Sequence, residues 1–365
     1  VLAGCAGIGT DSVEEDAETG AGDGSLPVTL TNWMYAPGSS PASSDPVALA
    51  HVSVAPLQPG ENTVEIELTD LDGDMLPAAS APAETILTVE PLAPDSSPMT
   101  PPLTRADQRA VWTSGEIELT DQSWYELTVA LETTDESLGT ATMYILLPDP
   151  SVYGADALDL PDTDPEAEVI FNQSLERYAG WNASRWRESL GSGTDVLVVT
   201  DFTLTSRPGE PPAFLADTRY TGAFRARSDG SPPAEPKLDY AGAITIGDDA
   251  WRQRDNSVWE QSSTRGVTTH AGRSEIYAGA TNIQNAGMDS IDGRDAQVIT
   301  FYLPPDGGQS EAWFAWWIDP NTGDVLRMSM VASIHYMLWD FFDINGSYTI
   351  APPPDVRSAT PMVDD

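Results

Sequence analysis

Residues 63–68 alternate strictly, with Val64, Ile66 and Leu68 on one side and Thr63, Glu65 and Glu67 on the other. Period-two alternation predicts a strand with one face buried and one in water. Turn residues flank it, Pro59-Gly60-Glu61-Asn62 before and Asp70-Leu71-Asp72-Gly73 after. Comparable short runs at 51–54, 85–89, 115–119, 124–131 and 142–146 bring the expectation to about seven strands between 27 and 147, the pattern of a β-sandwich.

The rhythm changes after residue 165. Across 168–190 the large apolar residues Ile170, Leu175, Tyr178, Trp181 and Trp186 recur near helical spacing with Glu and Arg between them, which predicts an amphipathic helix. Beyond Gly191-Ser192-Gly193 alternation returns. Val196, Val198, Phe202 and Leu204 share a face, as do Tyr220, Gly222, Phe224 and Ala226, and as do Tyr240, Gly242, Ile244 and Ile246. Further strands are expected at 297–303, 312–318, 325–331 and 348–350. One helix with a long meander of amphipathic strands makes a single antiparallel sheet that must cover its apolar face. The expected fold class is therefore mainly β with one or a few helices (α+β): an N-terminal sandwich, then an antiparallel half-barrel wrapped around a helix.

Composition divides the chain further. Residues 6–26 are Gly, Ser, Thr, Asp and Glu with hardly an aromatic, the makeup of a solvated tether that cannot bury enough surface to fold. Pro148, Pro150, Pro161 and Pro165 among many aspartates mark a linker. The expected organisation is a tether at 1–26, a sandwich at 27–147, a linker at 148–164, a half-barrel at 165–355 and a loose tail at 356–365.

Charge changes the picture more. Fifty-seven acidic residues against 17 basic ones give a net charge of −40, and Lys237 is the only lysine among the 365 residues. Such a surface repels nucleic acid and anionic headgroups. It suits a solvated exported protein or a high-salt setting, where screening makes dense negative charge tolerable; scarce lysine with abundant Asp favours the halophilic setting. No run reaches the roughly 18 apolar residues that a spanning helix needs.

The single cysteine, Cys5, follows Val1-Leu2-Ala3-Gly4. This resembles the lipobox of prokaryotic lipoproteins, whose signal peptide ends just before a cysteine that receives a diacylglyceryl group. The resemblance implies lipidation of Cys5, loss of residues 1–4, and an extracytoplasmic protein anchored to a membrane at the cell surface or in the periplasm. Two acyl chains suffice for stable anchoring.

Residues 57–73, with Gly115-Glu116-Ile117-Glu118-Leu119 and Trp124-Tyr125-Glu126-Leu127-Thr128-Val129, resemble YtkA-like domains. Those are immunoglobulin-like sandwiches often found with bacterial copper-resistance proteins. A copper site wants converging imidazole and thioether ligands, and His51 with scattered Met34, Met75, Met99 and Met143 does not supply that pattern. No metal is expected. Ser290-Ile291-Asp292-Gly293-Arg294, the run Trp316-Trp317-Ile318-Asp319-Pro320-Asn321-Thr322-Gly323-Asp324-Val325-Leu326-Arg327, and the closing prolines resemble the LolA/LppX/LprG-like lipoprotein fold. That family implies an incomplete barrel around a helix, with a hydrophobic cavity that takes acyl chains.

No catalytic constellation stands out. There is no Gly-x-Ser-x-Gly elbow, no His-Glu-x-x-His and no phosphate-cradling glycine loop, and only His51, His270 and His335 could serve a triad. His335 lies near Met328, Met330 and Met337, the one local His/Met concentration. The expected function is thus non-catalytic binding of a lipid or other apolar small molecule, without a cofactor and with an envelope protein as a further partner. Candidate lining residues are Val198, Phe202, Tyr220, Phe224, Ile244, Ile246, Trp313, Trp317, Met328 and Met330. The alternative is an extracellular interaction or sensor module, linked to copper handling, with no lipid ligand.

Overall fold

The computed structural model describes residues 28–357 apart from 37–44, 72, 75, 77–83, 95, 107–109, 120–122, 133–136, 192–196, 222–238, 255–257, 264–265, 307–309 and 333–334. Cys5, Phe224, the acidic tether and the end of the tail lie outside the described residues.

The N-terminal part consists of β1 (Val28–Met34), β2 (Ala48–Ala55), β3 (Gly60–Thr69), β4 (Glu84–Pro91) and β5 (Leu103–Arg105). It continues with β6 (Val111–Ser114), β7 (Ile117–Leu119), β8 (Trp124–Glu132) and β9 (Ser137–Leu146). They form two antiparallel sheets, β1-β2-β3-β6-β5 with β7 also on β3, and β4-β8-β9. The alternation read from the sequence places Val64, Ile66 and Leu68 inward, fully buried. One apolar cluster joins the two sheets through Leu30, Val52 and Ile66 from the first and Leu87, Val129 and Ile145 from the second.

Next come α1 (Pro150–Tyr153), α2 (Pro165–Ala179), β10 (Ala183–Gly191), β11 (Leu197–Thr205), β12 (Ala213–Thr221) and β13 (Asp239–Ile246). They are followed by β14 (Asp249–Arg254), β15 (Trp259–Ser262), α3 (His270–Tyr277), β16 (Thr281–Ile291) and β17 (Arg294–Leu303). The chain closes with β18 (Ala312–Ile318), β19 (Val325–Ala332), β20 (His335–Phe342) and β21 (Val356–Arg357). All these strands join one sheet in the order β16-β17-β18-β19-β20-β10-β11-β12-β13-β14-β15-β21. Every pairing is antiparallel except the last, β15 with β21. The sheet is open, since β16 and β21 are its two ends. No described helix is long and apolar enough to cross a membrane.

Two expectations change at this level. The helix expected over 168–190 ends at Ala179, where the Gly180 N–H closes the last turn on the Glu176 and Arg177 carbonyls. Its start is set by Asp164, whose carboxylate accepts the Glu166 N–H ahead of Pro165 in the first turn. Trp186 belongs to β10, which pairs along both edges with β11 and β20; tertiary pairing overrides a helical spacing that fitted equally well. Residues 348–350 are not a strand; the Tyr348 carbonyl accepts from Arg207 Nη1 at 3.1 Å. The proline-rich stretch 148–164 packs down: buried Asp149 accepts the Tyr336 hydroxyl on β20 at 2.7 Å.

Candidate functional site

Register decides which side chains of the long sheet share a face. Phe341, Trp186, Phe202, Ala216 and Ala243 form one row across β20, β10, β11, β12 and β13. The next row holds Trp339, Glu188, Thr200 and Thr218, and the one after it Met337, Leu190, Val198 and Tyr220. Met330 and Phe314 extend this side onto β19 and β18, as do Met328 and Trp316. This is the side that α2 and α3 cover.

The helices cover it unevenly. Over β17, β18, β20 and β10 the packing is ring on ring. Phe171 and Tyr178 of α2 and Tyr277 of α3 lie 4.8–6.3 Å from Phe301, Phe314, Trp316 and Phe341, distances typical of attractive aromatic pairs. Trp316 and Phe314 are fully buried, and Met328 and Met330 nearly so. The cover thins at the row of Leu190, Val198 and Tyr220, whereas Phe202, Leu204 and Ala216 on β11 and β12 are buried. Leu190, Val198, Phe214 and Tyr220, all on this side, are only half-buried.

The sequence candidates therefore divide. Val198, Phe202, Tyr220, Met328 and Met330 face the helices. Ile244 pairs with Leu215 and Trp251, Ile246 with Ala213 and Asp249, and both lie on the opposite side. Trp313 and Trp317 also point away from the helices, into the apolar cluster of the N-terminal sheets, where Trp317 sits 4.6 Å from the Tyr144 ring.

Polar groups on the helix side are few and poorly matched. Glu188 is 4% exposed; its Oε2 accepts the Trp339 Nε1–H at 2.6 Å, and its other oxygen has no partner among the described residues. Burial raises its pKa from the ordinary 4.5 to about 7, against the indole bond and the Arg273 charge, which lower it. His270, fully buried at the start of α3, shares a 2.8 Å hydrogen bond between Nε2 and Ser184 Oγ. Burial, with the Arg273 charge, pushes its pKa down to about 3, so the ring is neutral at pH 7. A proton on Nε2 leaves only a lone pair unmet at Nδ1, which has no partner. Arg273 itself stands over the Trp186 and Phe214 rings at 5.1 and 5.9 Å.

On the opposite side the charged groups are paired, while the indole Nε1 atoms of Trp33 and Trp313 have no partner. Arg187 forks onto Asp201 at 2.6 and 2.8 Å and donates to the Tyr35 hydroxyl at 2.8 Å. Arg327 bonds Asp340 at 2.6 Å and Tyr144 Oη at 2.9 Å, and that hydroxyl donates to Glu126. A cavity of about 30 Å³ lies at this junction, bounded by Leu30, Asn32, Met143, Ser189 and Leu338. It holds a water or two, not an acyl chain.

No family model matches the sequence, and no curated protein matches it significantly. Among solved structures, LprF from Mycobacterium bovis aligns with 53% of this chain and all of its own, at 15% identity and a TM-score of 0.40. Mycobacterium tuberculosis lipoprotein LppX aligns with 52% of this chain and all of its own, at 16% identity and a TM-score of 0.36. A DUF1329 family protein from Desulfovibrio piger aligns with 52% of this chain and 96% of its own, at 10% identity and a TM-score of 0.26.

The remaining chemistry-bearing residues have structural surroundings. Both ring nitrogens of His51 hydrogen-bond threonine hydroxyls, Thr31 and Thr69, at 2.9 Å each. Met328 Sδ accepts the Tyr277 hydroxyl at 3.9 Å, and His335 is exposed at the end of β20. Among the described residues no three His, Cys, Asp or Glu side chains gather as metal ligands.

Sequence reading missed Glu188, Arg273 and the His270–Ser184 pair. Glu188 carried a signal, since it stands between Trp186 and Leu190 on the apolar parity of a strand. That parity was hidden while the segment was read as helix.

Proposed function

We propose that this protein is a non-catalytic extracytoplasmic lipoprotein, tethered through Cys5, that holds a lipid or other apolar ligand against the helix-covered side of its long sheet. One observation carries the reading: Leu190, Val198 and Tyr220 form one cross-strand row, an apolar wall on the helix-covered side beside a solid aromatic core, yet remain half-buried. A folded protein that gained nothing from this wall would extend its ring packing across it. Binding there proceeds by area, at about 25 cal/mol per Å² of apolar surface covered. The N-terminal sandwich then serves to brace the other side of the sheet, and Val198 and Tyr220 are the sequence candidates kept as ligand contacts. Phe202, Met328 and Met330 form the floor behind them.

Native mass spectrometry of a soluble form beginning after Cys5, purified from a membrane-containing host, tests the reading. Co-purifying lipid released on denaturation, and lost in a Val198→Asp variant that keeps its circular dichroism and melting temperature, is the expected result. A clean apo mass, with no uptake when lipids are offered, would overturn it in favour of an interaction module.

A further inference from the structure

The ligand reading leaves its head group open, and the charges on the same side of the sheet narrow it. Arg177, Arg185, Arg187, Arg207, Arg219, Arg294 and Arg327 each have a carboxylate within 4 Å. Arg273, like the exposed Arg252 on β14, has none among the described residues, but of the two only Arg273 is half-buried; beyond its two ring contacts it makes one 3.4 Å hydrogen bond, to the Thr268 carbonyl. In a chain of net charge −40, a half-buried guanidinium with no carboxylate within 4 Å is an unfilled seat. Two residues along β10 from Trp186, over which it stands, is Glu188, whose second oxygen is likewise unpartnered. Two residues further is Leu190, opposite Val198 and then Tyr220. At ~7 Å per two residues of strand, cation, acid and apolar wall follow in line over the length of a medium acyl chain.

We propose that the ligand is a single-chain amphiphile with one carboxylate head, bound with the head between Arg273 and the free oxygen of Glu188 and the chain along Leu190, Val198 and Tyr220. The inference rests on the ligand-binding reading above. One unpaired cation accommodates one negative charge, and the neighbouring carboxyl group, when protonated, donates to the head's second oxygen. A dianionic head would leave one charge without a counter-ion in a partly buried site. The groups facing Glu188 are Trp339 of β20, Arg273 and Tyr277 of α3, and the Thr200 hydroxyl across on β11. None is a competing anion at neutral pH. Once Glu188 ionises, it repels the head.

Titration calorimetry of the soluble chain with dodecanoate and with dodecanol, both below micelle formation, at pH 6 and pH 8, tests this. Dodecanoate is expected to bind about tenfold more weakly at pH 8, following the protonated fraction of a group titrating near 7, while dodecanol does not respond to pH. Glu188→Gln should abolish the pH response. Arg273→Met should weaken dodecanoate by tenfold or more, the loss of a charge-assisted hydrogen bond, and spare dodecanol. Equal binding of both probes, independent of pH, would overturn the head assignment while keeping the ligand reading. Binding of neither would overturn the ligand reading itself. Both outcomes are read on the unmodified protein, so a variant that fails to fold does not decide the matter.

Discussion

The two faces of the long sheet both bury large rings, but the charged groups beside those rings are arranged differently. Toward α2 and α3, ring packs on ring, and the polar groups admitted there, Glu188, His270 and Arg273, each keep an unmet valence or an absent counter-ion. Toward the N-terminal sheets, Arg187 and Arg327 are also enclosed, but each guanidinium has a carboxylate and a tyrosine hydroxyl as partners, with Trp33 and Tyr144 rings over them, and the unmet donors there are the neutral indoles of Trp33 and Trp313. A matched network spends its charges on holding two bodies together. An unmatched one lowers stability unless a further molecule completes it, which is the reason for proposing the ligand on the helix side.

The largest effect expected from testing this contrast is on the matched side. Burial opposes the charge of Arg327, but Asp340, Tyr144 and Glu126 more than offset it and raise its pKa above the usual range. Arg327→Met would strand Asp340 and Glu126 at the junction and should cost about 3–5 kcal/mol, measured by urea unfolding at pH 7. A cost near zero would mean that water already serves those carboxylates and that the two faces do not differ as described.

Next is Glu188, where the sign reverses. Its pKa is about 7 in the folded chain against 4.5 ordinarily, so the folded state holds the proton more tightly. The stabilisation is complete below pH 4.5 and is lost as pH rises through 7, at a cost of about 3 kcal/mol. Glu188→Gln should therefore be more stable than the parent at pH 8 by up to that amount and little different at pH 4. A variant that is destabilised at pH 8 would place Glu188 among the structural groups.

Much of this arrangement was legible in the sequence, for reasons that name its limits. Strand 63–68 declared itself because alternation is a local property. The partition of Trp313 and Trp317 from Trp316 and Phe314 did not, because both faces of β18 are buried and a continuous apolar run such as Ala312–Ile318 has no polar parity to read. The side taken by Ile244 and Ile246 was hidden for a related reason, being fixed by register with β12. Arg273 could not be singled out at all, since its lack of a carboxylate is a fact about space.

A smaller effect is expected at Tyr35, which ties β1's end to the sheet by accepting from Arg187. Tyr35→Phe keeps the ring under the guanidinium and removes only the oxygen, so about 1.5–3 kcal/mol should be lost, the range for hydrogen bonds to charged groups. A double-mutant cycle with Arg187→Met should return most of it as coupling. Additive losses would show that Asp201 alone satisfies Arg187.

The smallest effect separates packing from local propensity on the helix side. Asp164 caps α2 through the Glu166 N–H at 2.9 Å, in an exposed position. Asp164→Ala should cost about 1 kcal/mol without changing dodecanol binding, because the position of α2 is set by Phe171 and Tyr178 against Phe301, Trp316 and Phe341. If α2 instead served as a cover whose first turn gates the apolar wall, the same substitution would weaken binding more than stability. A thermal melt and one calorimetric titration on this variant distinguish the two, since ring packing resists the loss of a cap and a marginal first turn does not.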